Sequence, residues 1–400
     1  MKLEFPKEIE RFGAIRFGGL QKIFELDSGG KTNGKSTRSA SAIQNVSSEA
    51  LSEIESQMAI VVPVRNERLK LIEGVLCGIP HPCLIVVVSN SPRSPIDRFR
   101  MEEDALRDFC IFVSKEALIA HQKDPLIAKA FAETGYTNIL NEQGEVHDGK
   151  AEGMIIGTVL AWLAGKKYVG FVDADNYFPG AVEEYVRVYA AIFALSRSPF
   201  TMARIAWHSK PKIVESKLFF RKWGRTSAQT NSLLNRLLAH YTGFETEIIK
   251  TRNAGEHAMS MDLATSIDYS SGYSIEPYHI VNLIEKFGGI VESTSPDLMN
   301  KSVEVYQVES RNPHLHEAGD EQHIEGMYYL AMQVLYHSPI CPEELRTEIY
   351  QEMRQKGYVG NGSPPAKPRY FPPIQTIDRS LFTEAIKGAQ YAKIIKEKIR

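Results

Sequence analysis

Cysteine is scarce: Cys77, Cys83, Cys110 and Cys341 are the only four in 400 residues, with no C-x-x-C pair. That excludes a disulfide scaffold and a thiolate zinc site, and it fits thiols kept reduced in a cytosol. Long apolar runs are missing as well. No stretch approaches the roughly 20 residues that span a bilayer. The opening Met-Lys-Leu-Glu-Phe-Pro-Lys-Glu lacks the apolar core of a secretion signal. The expectation is a soluble cytoplasmic protein with no membrane partner. Nor does one sign of charge prevail, since 47 basic against 49 acidic residues leave a net −2. No global field draws the chain to nucleic acid, so any phosphate chemistry must rest on local clusters.

What is present fits a globular protein with a sizeable core, 43% hydrophobic and 24% charged. Ser28 to Glu49 is rich in Gly, Ser, Asn and Thr and predicts an exposed flexible loop. From Met58 the pattern alternates. Met58–Val64 and Leu84–Val88 predict buried parallel strands, with a helix over 67–76 between them. A helix over 98–113, a strand over 117–120 and a helix over 150–163 follow. The strand from Tyr168 then runs into Asp173-Ala174-Asp175, and Pro179 suits the first turn of the next helix. Such alternation predicts an α/β fold with a mostly parallel sheet. Further on, the spacing predicts a strand over 200–207, a helix over 226–241, a short strand over 272–275 and a helix over 277–287. A strand of alternating exposure over 303–308, helices near 320–337 and 342–356, a Pro/Gly loop over 359–375 and an amphipathic helix over 379–398 complete the reading. The expected units are an N-terminal segment 1–56, an α/β domain 57–210, a further region 211–350 and a C-terminal extension 351–400.

The candidate site residues fall at strand ends and helix starts. In a strand, residues i and i+2 project to one side. Asp173 and Asp175 would then stand together at the carboxyl end of a buried strand, where open α/β sheets place ligands. Paired carboxylates there can hold a hard divalent cation, and the cation a diphosphate. Pro63, Val64, Arg65, Asn66 and Glu67 end the first strand, with Glu67 able to bond a ribose hydroxyl; the bland alternative is a charged loop with Asn66 as helix cap. Ser89 and Asn90 end the next strand, and Gln122 and Lys123 follow the third. Lys150 opens a helix against the macrodipole, which is explained by a functional anion or by solvation. His314 and His316 share an i, i+2 spacing that would complete a Mg²⁺- or Mn²⁺-type site, unless they are surface residues. Lys210, Lys212, Lys217, Arg221, Lys222 and Arg225 face a single acid, Glu215. They end at Gly224, Arg225, Thr226 and Ser227, a phosphate cradle at a helix start. Gly255, Glu256 and His257 are placed at another helix start, as ligands or as a capping turn. Glu276 faces the crevice or caps its helix.

The runs PVRNERLKLIEGVL, HQKDP, GKAEGM, YVGFVDADNYFPGAV, NAGEHAM, GYSIEP and NPHLHE together resemble the mannosyl-3-phosphoglycerate synthases, over roughly residues 1–350. The resemblance implies a GT-A type fold, that is, a Rossmann-like nucleotide-sugar sheet with a C-terminal acceptor and metal-completing region. It further implies transfer of mannose from GDP-mannose to 3-phosphoglycerate with retention, a divalent cation, and a product that is a precursor of mannosylglycerate, a compatible solute. A homodimer is left open. By resemblance, 63–67 with Ser89 and Asn90 would hold guanosine. Gln122, Lys123 and Lys150 would lie along the ribose and diphosphate, with Ala174 beside them. Asp175, Asp173 and one histidine, preferably His316, would hold the metal. The segment 224–227 looks like the phosphoglycerate cradle of the related glucosyl-3-phosphoglycerate synthases. A sugar nucleotidyltransferase is the rival enzyme, but it wants a Gly-rich loop after the first strand, and Pro63–Glu67 has no glycine. A non-catalytic nucleotide-sugar sensor is the rival outside catalysis, and the intact Asp-x-Asp argues against it.

Overall fold

Alternate residues of the strand Met58–Val64 enter two different cores. Ala59 and Val61 pack on one side, and Met58, Ile60, Val62 and Val64 on the other. This is the period-two signature of a strand covered on both faces, which is why it reads as an unbroken apolar run. The computed structural model describes residues 1–26, 43–176, 178–207, 210–214, 217–221, 225–291, 300, 302–312, 321–360 and 362–388.

In chain order the strands and helices begin with β1 (Lys2–Glu4), β2 (Ile9–Phe12), β3 (Ile15–Glu25), β4 (Ile43–Asn45), α1 (Ser48–Ser56) and β5 (Met58–Val64). There follow α2 (Leu69–Gly78), β6 (Leu84–Ser89), α3 (Arg98–Val113), β7 (Ala117–His121), α4 (Pro125–Glu133), α5 (Lys150–Leu163), β8 (Tyr168–Phe171), α6 (Pro179–Leu195) and β9 (Phe200–Ala206). The rest includes a hairpin of β10 (Lys210–Val214) and β11 (Lys217–Arg221), then α7 (Arg225–Thr242), β12 (His257–Ser260), α8 (Met261–Ser266), β13 (Tyr269–Ser270), α9 (Ile275–Phe287) and β14 (Val303–Glu309). Helices Glu321–Tyr336, Glu343–Gln355 and Arg379–Ala385 end the described chain, with the short β15 (Tyr370–Phe371) pairing β13.

One large sheet runs β4-β1-β3-β14-β9-β12-β8-β5-β6-β7, with β2 on β3. Its centre is mostly parallel, as expected of alternating strands and helices: β8, β5, β6 and β7 run together, and so do β3, β14 and β9. Only β12 lies antiparallel among them, between β8 and β9. Helix α5 packs on β5 and β6 through one core, and α2 and α6 lie in the other. Among the described residues no helix is long and apolar enough to cross a membrane.

Several expectations are corrected. The predicted loop over 28–49 ends early: β4 pairs with β1, and the Ser47 hydroxyl caps α1 at 3.2 Å, a local signal inside a polar run. Residues 27–42 lie outside the described chain. The expected strand at 272–275 is a single tight turn, Gly272–Ser274, made by Gly272 at φ +59 and running directly into α9. The strand β14 is buried on both faces rather than alternating, because it lies inside the sheet between β3 and β9, with one core taking Val303 and Val305 and the other Val308. Gly255, Glu256 and His257 precede and begin strand β12, not a helix. The final helix is described only over Arg379–Ala385, and residues 389–400 lie outside the description. Strands β12 and β14, from beyond the seam expected near 210, are woven into the same sheet as β5–β9.

Candidate active site

Strand β8 stops at Phe171, two residues before the first acid. Asp173 and Asp175 therefore sit in the turn that follows, not in extended chain, and the same-side argument from strand geometry does not apply to them. The turn closes where the Asn176 amide donates to the Asp173 carbonyl at 3.4 Å. Below it, the Asn176 side-chain amide donates to the fully buried Glu256 at 2.8 Å. Glu256 thus props the acidic turn from inside the protein. Burial and the nearby Asp173 charge, opposed by Lys150, push its pKa up to about 8.

Lys150 supplies the cation. Gly149 caps α5, and a Cβ there would collide with the Glu152 carboxylate and the Gly272 backbone, so the close approach needs glycine. The Lys150 ammonium lies 2.5 Å from Asp173 and 2.7 Å from Glu276. Burial works against its charge, but Asp173 and Glu276 more than offset this and hold it well above the usual lysine range. Helix-start lysines are disfavoured by the macrodipole. Here two carboxylates from other elements supply the compensation. Gly255 closes the cluster: an added Cβ would sit 2.8 Å from Asp173 Oδ2 and 3.3 Å from Glu276 Oε1.

The ends of β5, β6 and β7 form the neighbouring cleft, of about 530 Å³, with Arg65, Asn66, Asn90, Arg93, His121 and Lys123 among its walls. Asn66 takes φ +67, a conformation asparagine tolerates better than most residues, and its amide donates to Ser91 Oγ at 2.7 Å. Glu67 folds back to accept the Arg65 amide, and burial raises its pKa against that hydrogen bond. Asn90 reaches Asp148 at 3.1 Å, and Lys123 reaches the same oxygen at 3.3 Å. The Gln122 amide is tied to the carbonyls of His147 and Gly149, at 2.6 and 3.2 Å. Pro63 and Val64 lie in β5, with Val64 buried and its carbonyl accepting from the Asn90 amide at 2.8 Å. Ala174 is buried beneath the turn.

Not every expected residue reaches the cleft. Ser89 is fully buried, and its hydroxyl donates to Glu102 at 2.6 Å, as Ser91 does to the other oxygen; these hydroxyls shape the loop from behind. His257 is likewise buried, with Nδ1 within 3.0 Å of the Gly255 carbonyl and its ring against Phe171 and His279. Burial, with His279 and Arg204 beside it, holds its pKa well below the ordinary value. Of the cradle, Ser227 lies in α7, Gly224 is outside the described residues, and so are the side chains of Arg225 and Thr226. His314 and His316 also lie outside them.

Four acids that pattern reading passed over do structural work here: Glu102, Asp148, Glu152 and Glu184. Glu184 on α6 accepts the amides of Arg311 and Asn312, the latter at 2.9 Å, and so pins the chain just before the His-x-His. Glu152 is buried in α5, accepts the Gly272 amide at 3.2 Å, and burial pushes its pKa up to about 7. The available signal was an acid set inside an almost wholly apolar helix (KAEGMIIGTVLAWL), since buried charges are rare unless paired.

Sheet, cleft and acidic turn together define a class: an open α/β protein of the kind that takes its ligands at the carboxyl edge of its strands. The chain belongs to the mannosyl-3-phosphoglycerate synthase family of glycosyltransferases, whose model matches residues 5–386. It is 44% identical to the mannosyl-3-phosphoglycerate synthase of Pyrococcus furiosus over 380 residues, 94% of this chain and 95% of that protein. It is 33% identical to the Aeropyrum pernix protein of the same name over 387 residues, 96% and 97% of the two chains. Among solved structures, it is similar to the glucosyl-3-phosphoglycerate synthase of Mycobacterium tuberculosis in complex with Mn²⁺, UDP and glucosyl-3-phosphoglycerate. That match has 14% identity and a TM-score of 0.48, covering 81% of this chain and 95% of that one.

Proposed function

We propose that this enzyme transfers mannose from GDP-mannose to 3-phosphoglycerate with retention at the anomeric carbon. The observation that carries the reading is the buried Lys150–Asp173–Glu276 cluster beside Asp175, adjoining the cleft over β5–β7. The names of the two relatives supply the acceptor and the sugar.

Asp173 and Asp175 offer hard oxygen donors, and the ammonium drawn against Asp173 marks that spot as one where a cation is stabilised. They fit a divalent cation such as Mg²⁺ or Mn²⁺. Asp175 and Asp173, with His316 or His314, would hold it. When bound, that ion offsets the charge of the departing diphosphate. Lys150 keeps its proton throughout, because Asp173 and Glu276 hold its pKa high. It acts as a fixed positive charge beside the diphosphate, not as a proton donor. Glu67 would take a ribose hydroxyl, and Gly224–Ser227, with Gly255 and Glu276, would receive the acceptor. The bond from the anomeric carbon to the GDP oxygen breaks as the acceptor hydroxyl adds from the same face. The hydroxyl proton passes to a diphosphate oxygen, so no protein nucleophile is assigned. The cellular place proposed is the cytoplasm.

The test is GDP release from GDP-mannose with purified protein and Mg²⁺, with and without 3-phosphoglycerate. Acceptor-dependent GDP that stops on chelation is expected. Release only with UDP-glucose would overturn the donor assignment, and no release with any nucleotide sugar would overturn catalysis itself.

A further inference from the structure

We infer that Asp148 selects the guanine base of the donor, reading its N1–H and exocyclic N2 amine. This deepens the reading above and rests on it, because it takes a guanosine diphosphate sugar as the donor. No pattern in the sequence singles Asp148 out, and its position is what argues for it.

The strands act as a ruler. At the carboxyl edge the order is β8, β5, β6, β7. Asp173 and Asp175 follow β8, Glu67 follows β5, and Asp148 hangs over the ends of β6 and β7, bonded to Asn90 and Lys123. Neighbouring strands lie about 4.8 Å apart, so the acidic turn and Asp148 are separated by roughly two and a half strand spacings, about 12 Å. A diphosphate at the β8 end and a ribose at the β5 end leave the base over β6 and β7. That is the 530 Å³ cleft whose walls include Asn90 and Lys123.

The cleft is otherwise rich in donors: Arg65, Asn66, Arg93 and Lys123 line it. Donors suit the O6 and N7 acceptors of guanine, but they equally suit the carbonyls of uracil. A carboxylate breaks that degeneracy. It accepts two hydrogen bonds side by side, which matches the paired N1–H and N2–H of guanine. Uracil offers it one N–H flanked by two repelling oxygens. Asp148 is also pre-oriented. One oxygen is fixed by Asn90 and Lys123, while its side chain remains 64% exposed and open to a ligand. Two groups that hold an acid in place without covering it are what a recognition contact needs.

The experiment is calorimetric titration of the full chain with GDP, IDP, UDP and XDP in the presence of Mn²⁺, for wild type, Asp148→Ala and Asp148→Asn. Hypoxanthine lacks the N2 amine, and xanthine carries an oxygen there. Wild type should prefer GDP over IDP and UDP by roughly ten- to hundredfold. Asp148→Ala should lose that preference. Asp148→Asn should weaken GDP and gain XDP, since its amide donates where the carboxylate accepted. The residue is exposed, so circular dichroism should show both variants folded. If wild type prefers GDP and Asp148→Ala keeps the same GDP-to-UDP and GDP-to-IDP ratios, the assignment to Asp148 falls and the donor reading stands. If all diphosphates weaken equally in Asp148→Ala, the acid meets ribose or phosphate and base selection is overturned. If wild type prefers UDP, the donor reading itself fails, and this inference with it.

Discussion

Two groups of charges share one edge of the sheet and obey different physics. At the end of β8, Lys150 is 11% exposed, Glu276 7% and Asp173 28%. Over β6 and β7, Lys123 is 22% exposed and Asp148 64%. In the first group the two carboxylates hold the largely buried Lys150 ammonium in its charged form. Removing one partner of a buried pair leaves an uncompensated charge, a loss of about 3–5 kcal/mol. In the second group water screens every contact, and a pair is worth about 0–1 kcal/mol. On the proposed reading, the buried cluster would then bear on both stability and turnover, whereas the exposed one would bear on nucleotide selection alone. Mutations should separate the two, and their order of severity follows from burial.

Lys150→Met should have the largest effect. It strands Asp173 and Glu276 side by side, so unfolding stability should drop by about 3 kcal/mol or more and turnover should fall about a thousandfold. A fully stable Lys150→Met protein in a denaturant titration would place the cluster in solvent and erase the contrast. Asp175→Asn should match that loss of turnover but change stability by less than about 0.5 kcal/mol, because Asp175 is only half-buried. Nucleotide affinity should at the same time lose its dependence on added metal. Gly255→Ala comes next. Its Cβ would stand 2.8 Å from Asp173 Oδ2, and displacing that carboxylate should lower turnover by about a hundredfold through position alone.

Glu256 turns the buried half into a pH effect. Its pKa is pushed up to about 8 in the folded protein from an ordinary 4.5, first by burial and then by Asp173. Between those values the folded state holds a proton that the unfolded state has lost. Stability contributed by this group therefore falls as pH rises from about 4.5 to about 8, and it is flat above. Glu256→Gln should abolish that slope and gain on wild type at alkaline pH, measured on chelator-treated protein. An unchanged slope in the variant would assign the titration elsewhere, Glu152 being the next group, pushed to about 7.

The parts of the fold that were legible are those whose local pattern and final environment agree. β5 and β6 are apolar runs because both faces are covered, and α3 and α5 begin and end where their periodicity does. β14 and Gly272–Ser274 were misread because their environment is set by distant chain. β14 is flanked on both sides by strands far from it in sequence, and the turn is dictated by one glycine and by Glu152, 120 residues upstream. Of the candidate residues, Lys150, Asp173, Glu67, Asn90 and Lys123 stand where the pattern put them, at or just after strand ends and at a helix start. Motif reading placed Ser89 and His257 beside them because type and spacing say nothing about which way a side chain turns, and both turn inward to buried partners. The acids that support the site from beneath, Glu184 and Glu256, carry no periodic signal. Their function lies in the amides they accept from other segments.

The mildest perturbation tests the exposed half most directly. Lys123 contacts Asp148 at 3.3 Å and donates to the Val146 carbonyl at 2.5 Å, both near solvent. Lys123→Met keeps most of the side-chain bulk and removes the charge. Stability should move by less than about 1 kcal/mol. Nucleotide affinity should fall by about tenfold, because Asp148 loses one of its two tethers while Asn90 keeps the other. The deficit should shrink as salt rises, since a screened exposed charge is what has been removed. The same salt series on wild type should change turnover at saturating donor far less, because the Lys150 cluster is largely withdrawn from solvent. A deficit that persists at high salt would mean that Lys123 is as desolvated in the bound complex as Lys150 is in the free protein, and the two halves of the edge would then differ in degree, not in kind.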